Sequence, residues 1–108
     1  MFLSLIMKTY PILIRNQVYS DLYEIASFII SKNNYSLAKS YMLMLYNEIK
    51  SLSSLADVIP FAKWSFTSVQ YPNCKSLITK NKKWNIIFRI ENDFVIVEKI
   101  IASKLITY

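Results

Sequence analysis

The chain contains no histidine and no glycine, and a single cysteine, in 108 residues. Without histidine there can be no Ser/His triad, no histidine general base and none of the usual zinc sites. Without glycine the close backbone approach needed by Rossmann fingerprints and phosphate-cradling P-loops is lost, so nucleotide-binding folds of those kinds are excluded. Cys74 alone rules out an internal disulfide framework, leaves no cysteine cluster for a metal, and points to a reducing compartment. Long hydrophobic runs are missing as well. Phe2-Leu3-Ser4-Leu5-Ile6-Met7 has no basic region before it and stops at Lys8, which does not make an export signal. No apolar stretch approaches the length of about 20 residues that a membrane helix needs. A soluble, cytoplasmic protein without metal or cofactor is expected.

Hydrophobic residues make up 54% and aromatics 15% of the chain, far more than a disordered segment carries, so a packed core is affordable in area. A chain of this size supports one core, hence one domain and one active surface. The net charge of +6 is unevenly placed. Residues 1–62 hold five cations against four anions; residues 63–108 hold eight against three, with Lys63, Lys75, Lys80, Lys82, Lys83, Arg89, Lys99 and Lys104 outnumbering Glu91, Asp93 and Glu98. A polyanionic partner would dock on that second half, although solvated surface lysines account equally well for the excess.

Tyr10-Pro11-Ile12-Leu13-Ile14 reads as a first strand, its early part at an edge because of Pro11. After Asn16 as N-cap, Val18, Leu22, Ile25, Ala26 and Ile29 recur at helical spacing and predict a helix to about Lys32. Asn33-Asn34 breaks it. A second helix is expected from the cap residue Ser36, with Leu37, Ala38, Tyr41, Leu45, Ile49 and Leu52 on one stripe, ending before Pro60. Residues 61–72 read as loop with some strand. Three extended runs follow, Cys74–Thr79, Lys83–Ile90 and Phe94–Ala102, joined by hairpin turns at Lys80-Asn81-Lys82 and Glu91-Asn92-Asp93. Neither helix is stable alone in water, so the strands must supply the surface beneath them. The predicted architecture is α+β: a two-helix hairpin packed on a small, largely antiparallel β-sheet.

The run Asp21-Leu22-Tyr23-Glu24-Ile25 with Phe28-Ile29, following an aliphatic strand, resembles the N-terminal signature of the RelE/ParE toxin superfamily. The likeness continues through Ala38 and the Leu45, Ile49, Leu52 stripe to Pro60. It resumes with Lys75-Ser76-Leu77 and with Trp84-Asn85-Ile86-Ile87-Phe88-Arg89-Ile90, similar to the family's aromatic third strand, and ends on a last strand from Val95 to Lys104. Family members opening Met-Lys-x-Tyr match Met7-Lys8-Thr9-Tyr10, so residues 1–7 read as an N-terminal extension of a single toxin domain.

The resemblance implies the toxin of a type II toxin–antitoxin system. It implies a cognate antitoxin that wraps the toxin with apolar anchors and acidic side chains, giving a hetero-oligomer, and helix-two residues such as Met42, Met44 and Tyr46 could receive it. RelE-like members cleave messenger RNA on the ribosome with clustered Lys and Arg plus a C-terminal Tyr or His. The residues here that answer to that cluster are Lys75, Arg89, Lys99, Lys104 and Tyr108, with Lys80, Lys82 and Lys83 as candidates for binding nucleic acid. Departures stand beside them: Ala102 occupies the histidine position, Lys104 the arginine position, and Asn85 a position that is often basic. With no histidine, lysine or tyrosine would have to move the protons, which asks for a cationic nest that lowers a lysine pKa from about 10.4. Alternation on the third strand puts Asn85, Ile87 and Arg89 on the face away from the helices, and that on the last strand puts Val95, Val97, Lys99 and Ile101 on one face. Arg89 could serve either the site or a cross-strand pair with Glu98 or Glu91. The function expected from the resemblance is a metal-independent, ribosome-dependent endoribonuclease, because many family members are nucleases and the cationic half suits RNA; the alternatives are a ParE-like inhibitor of DNA gyrase and an inactive relative that only binds the antitoxin.

Overall fold

In a computed structural model, which describes residues 8–32, 34–61 and 71–105, the chain runs strand, two helices, then three strands. The elements are β1 (Ile12–Ile14), α1 (Asn16–Ile30), α2 (Tyr35–Leu55), β2 (Lys75–Ile78), β3 (Trp84–Glu91) and β4 (Phe94–Ala102). Single 3-10 turns follow α2 (Ala56–Val58) and β4 (Ser103–Leu105). The expected α+β arrangement, a helix hairpin on a mostly antiparallel sheet, is the observed one. Most of the 61–72 stretch, Asn33, Tyr108 and the proposed extension 1–7 lie outside the described residues.

The sheet order is β1-β4-β3-β2. β2, β3 and β4 form an antiparallel meander, while β1 pairs parallel with β4 because both helices intervene before the chain returns. β1 is shorter than the predicted 10–14. Tyr10 donates its N–H to the Ser53 carbonyl of α2 at 2.9 Å and accepts at its own carbonyl from the Ser53 hydroxyl at 2.9 Å, and Pro11 has no N–H to give. Those two residues therefore tie the strand to α2 before the ladder starts.

Helix boundaries differ slightly from the sequence reading. Arg15, extended, precedes α1 and donates its N–H to Val97 O; Asn16 lies inside the helix and makes no side-chain cap. Asn34 rather than Ser36 caps α2, its Oδ1 accepting the Leu37 N–H at 3.0 Å. The α2 stripe is buried at Ala38, Leu45, Ile49 and Leu52, but Leu37 stays half exposed. Full burial of Leu45, Ile49 and Leu52 contributes about 1.5–3 kcal/mol for each side chain. Ile49 and Leu52 meet Val18 of α1 and Ile86, Phe88, Val95, Val97 and Ile100 of the sheet in one core.

The last strand is not regular. Ile87 pairs with Lys99 but Phe88 with Val97, so Glu98 is an extra residue, a β-bulge. The bulge resets the alternation. Val95 and Val97 join the helix-side core, then Ile100 does, while Ile101 joins Ile87, Cys74 and Tyr71 in a second cluster. The uniform face Val95, Val97, Lys99, Ile101 expected from period two is thereby corrected. The β3–β4 turn works without glycine because Asn92 and Asp93, at φ 52° and 64°, accept the left-handed conformation that a two-residue hairpin requires.

Candidate functional site

Lys75, Arg89, Lys99 and Lys104 were expected to gather as a cationic nest, and the fold gives them separate surroundings. Lys75, at the start of β2, is buried, and its Nζ donates to the carbonyl of Ala56 at 2.8 Å, where α2 passes into its final 3-10 turn. An ammonium at that point satisfies an orphan carbonyl and faces the negative end of the helix dipole. The Phe61 ring lies on its other side, 5.3 Å from Nζ to centroid.

Arg89 points away from the helices, as the alternation of β3 implies. There it pairs with both expected acids: its Nε meets Glu98 Oε2 at 2.6 Å, and Nη1 meets Glu91. Glu98 also receives Arg15 Nε on its other oxygen at 2.7 Å, so one carboxylate at the bulge joins β3, β4 and the start of α1. Lys99 reaches α1, where Nζ meets Asp21 Oδ1 at 2.6 Å. Asp21 is the acidic residue of the Asp-Leu pair in the helix-one signature, and its place explains why an acid stands there. Two residues past the bulge, and beyond the end of the β1 pairing, the N–H of Ile100 donates to Asp21 Oδ2 at 3.1 Å, while Gln17 Nε2 adds a bond to Oδ1 at 3.0 Å. A buried carboxylate thus holds both a strand irregularity and a cation. Nothing in the sequence announces this pairing, because the partners are 78 and 79 positions apart.

Lys104 sits exposed on the 3-10 turn after β4, and Lys80, Lys82 and Lys83 are exposed on the β2–β3 turn. The two turns touch: Ser103 donates its N–H to the Lys83 carbonyl at 2.8 Å, and Asn85 Nδ2 donates to the Ser103 hydroxyl at 2.8 Å. Among the described residues none of these four ammonium groups makes an ion pair.

The turn beneath them is held by groups that sequence reasoning did not single out. Glu48, buried on α2, accepts the Lys80 N–H with both carboxylate oxygens at 3.2 Å. Tyr41 accepts Trp84 Nε1 at 2.8 Å and Asn81 Nδ2 at 3.0 Å. Thr79 donates its hydroxyl to Asn81 Oδ1 at 2.7 Å, and Asn81 Oδ1 also takes the Lys83 N–H at 3.0 Å. An open depression of about 510 Å³ lies between Ile78, Thr79, Lys80, Lys82 and Ser103. Burial pushes the thiol of Cys74 and the phenol of Tyr71, on the far side of the sheet, above their ordinary pKa values.

Among the described residues no three His, Cys, Asp or Glu side chains stand together as metal ligands, and no helix is long and apolar enough to cross a membrane. Among the described residues the charged groups form three sets of ion pairs, around Glu98, at Lys99–Asp21 and at Lys8–Asp93, beside the solvent-facing lysines of the two turns.

The architecture has a solved counterpart. The chain superposes on a chain of "Chromosomal ParDE TA system from P. aeruginosa" with a TM-score of 0.72 at 13% identity, covering 88% of this chain and 97% of that one. The two-helix hairpin on a mostly antiparallel sheet is thus a fold this chain shares with that one. No protein-family model matches the chain, and neither does any curated protein.

Proposed function

We propose that the chain is the toxin of a type II toxin–antitoxin pair and that it acts by docking on its target, as a ParE-like inhibitor of DNA gyrase would, rather than by cutting RNA. The carrying observation is the state of the expected nuclease residues. Lys75 holds a helix end, Arg89 is taken by two carboxylates and Lys99 by a third. A transition state that develops phosphorane charge needs cations preorganised and unneutralised around it, and each of these three already has an internal partner. The fold shared with a ParDE chain supports the toxin assignment and a cognate antitoxin as partner, in a toxin–antitoxin hetero-oligomer acting in the cytoplasm. Half-exposed or more exposed Tyr19, Tyr23, Leu43 and Tyr46 on the helices suit the apolar anchors of such a partner.

One observation favours the ribosome-dependent endoribonuclease instead: Lys104 and the turn lysines are exposed and without carboxylate partners, as phosphate contacts would be. A single experiment separates the readings. Induced alone in a bacterium the chain should arrest growth, a co-expressed antitoxin from the neighbouring reading frame should restore it, and DNA breaks should accumulate while translated messages remain intact. Cleaved messages during arrest would overturn the docking mechanism. In that case Lys104→Ala should lower cleavage at least about tenfold, equivalent to about 1.4 kcal/mol of transition-state stabilisation. Normal growth at confirmed expression would overturn the toxin assignment itself and leave only an antitoxin-binding relative.

A further inference from the structure

We infer that the lysine-bearing end of the sheet, formed by the β2–β3 turn and the 3-10 turn after β4, is a docking surface for the phosphate backbone of duplex DNA. The inference stands independently of the toxin assignment. It begins from how the acids are used. Asp21, Glu91, Asp93 and Glu98 pair with Lys99, Arg89, Lys8 and Arg15, and Asp57 accepts the Tyr10 hydroxyl at 2.8 Å. Among the described residues Glu48 is the one acid bonded to the lysine turn, where it is buried and bound to the Lys80 N–H. Four exposed lysines against that single carboxylate leave the end strongly positive.

The second observation is rigidity. Lys82 stands at φ 61°, the left-handed region, where the other described residues are Asn73, Asn92 and Asp93. A lysine there is held against a local backbone cost of about 1–2 kcal/mol. It is held by the Lys82 N–H to the Thr79 carbonyl at 2.8 Å and by the Thr79, Asn81, Tyr41 and Trp84 bonds around it. A turn whose backbone is fixed so firmly leaves only the lysine side chains to be ordered on binding, which reduces the entropy that binding must overcome.

The donor set selects the ligand. Lysine meets phosphate as a point charge. The turn's amide and indole groups bond inward, and both described aromatics of the network, Tyr41 and Trp84, bond to each other. Single-stranded nucleic acid is held by aromatic stacking platforms, and RNA duplexes partly through 2′-hydroxyl contacts. Ammonium groups without either fit a continuous phosphate backbone read by charge alone, as in sequence-independent binding to B-form DNA.

Fluorescence anisotropy with a labelled DNA duplex of mixed sequence tests this on the purified chain. Four phosphate contacts give a slope of log affinity against log salt of about −3.6, a weakening of about a hundredfold between about 50 and about 200 mM salt. Replacing Lys80→Gln, Lys82→Asn and Lys83→Gln together should flatten the slope by about 2.7; asparagine is chosen at Lys82 because it accepts the left-handed backbone. Removing the same charge from the helix hairpin, with Lys32→Gln in its turn and Lys39→Gln and Lys50→Gln on α2, should leave the slope as it was, provided both variants keep their circular dichroism and melting profile. Equal flattening by the helix variant would mean that net charge, not this surface, binds. Absence of salt-dependent DNA binding, or tighter binding to single-stranded RNA or an RNA duplex of equal length, would overturn the inference.

Discussion

Removal of the Asp21 carboxylate should destabilise the fold well beyond an ordinary surface change. Asp21 is 6% exposed and serves Lys99 Nζ at 2.6 Å, Gln17 Nε2 at 3.0 Å and the Ile100 N–H at 3.1 Å. Asp21→Ala leaves that buried N–H without an acceptor, at about 1–3 kcal/mol. It also strands the Lys99 ammonium. Breaking one side of a fully buried pair costs about 3–5 kcal/mol. The Lys99 side chain is 28% exposed, however, and can rotate toward water, which brings its share nearer to about 1 kcal/mol. The expected loss is therefore about 2–4 kcal/mol, or roughly 8–16 °C in Tm for a domain of this length. Asp21→Asn keeps an acceptor and gives up only charge, so about half that loss is expected. A double-mutant cycle with Lys99→Met should return a coupling of about 1–2 kcal/mol. Urea denaturation followed by tryptophan fluorescence measures the single and double variants, with the midpoint shifting and the slope unchanged. A loss under about 1 kcal/mol for Asp21→Ala, or no coupling to Lys99, would refute the idea that this carboxylate holds the β4 bulge.

Two further outcomes follow from a part-buried and a buried group. Tyr41→Phe removes the acceptor for Trp84 Nε1 and Asn81 Nδ2 and should cost about 1–2 kcal/mol in the same denaturation assay, while an unchanged midpoint would take Tyr41 out of the account of the turn. Cys74 is 5% exposed and burial raises its pKa, so the proton stays on the thiol to higher pH and the reactive thiolate is scarcer at any given pH. A thiol reagent at about pH 8 should modify the native chain at least about tenfold more slowly than the urea-unfolded one, and equal rates would show that the site is open.

Patterns confined to one element were readable in the sequence. Trp84 to Ile90 alternates with period two, and β3 places Ile86 and Phe88 in the helix-side core and Arg89 on the opposite face. The stripe Ala38, Leu45, Ile49, Leu52 recurs at helical spacing and is buried as such. Asn92-Asp93, with no glycine available, could form the tight turn, and does. These features depend on backbone geometry and apolar transfer, both of which act within a few neighbouring residues. Even the choice between Glu98 and Glu91 for Arg89 was visible as a pair of cross-strand options, and the fold uses both.

What lay beyond the sequence were facts that depend on two distant segments at once. Residues equally suited to a helix cap, such as Asn34 and Ser36, are separated only by where the chain enters α2. The bulge at Glu98 shifts the register of β4 against β3 by one residue, and that one inserted residue decides that Ile100 faces the helices and Ile101 does not. The destiny of each cation was decided the same way. Lys75, Lys99 and Lys104 look alike as lysines in a basic half, yet one meets a helix-end carbonyl, one a buried carboxylate on α1, and one faces solvent. Charge is counted along the chain, but whether a charge is neutralised depends on distances of a few ångströms in three dimensions, so only the tertiary structure could separate the lysines that hold this fold from those free to bind a partner.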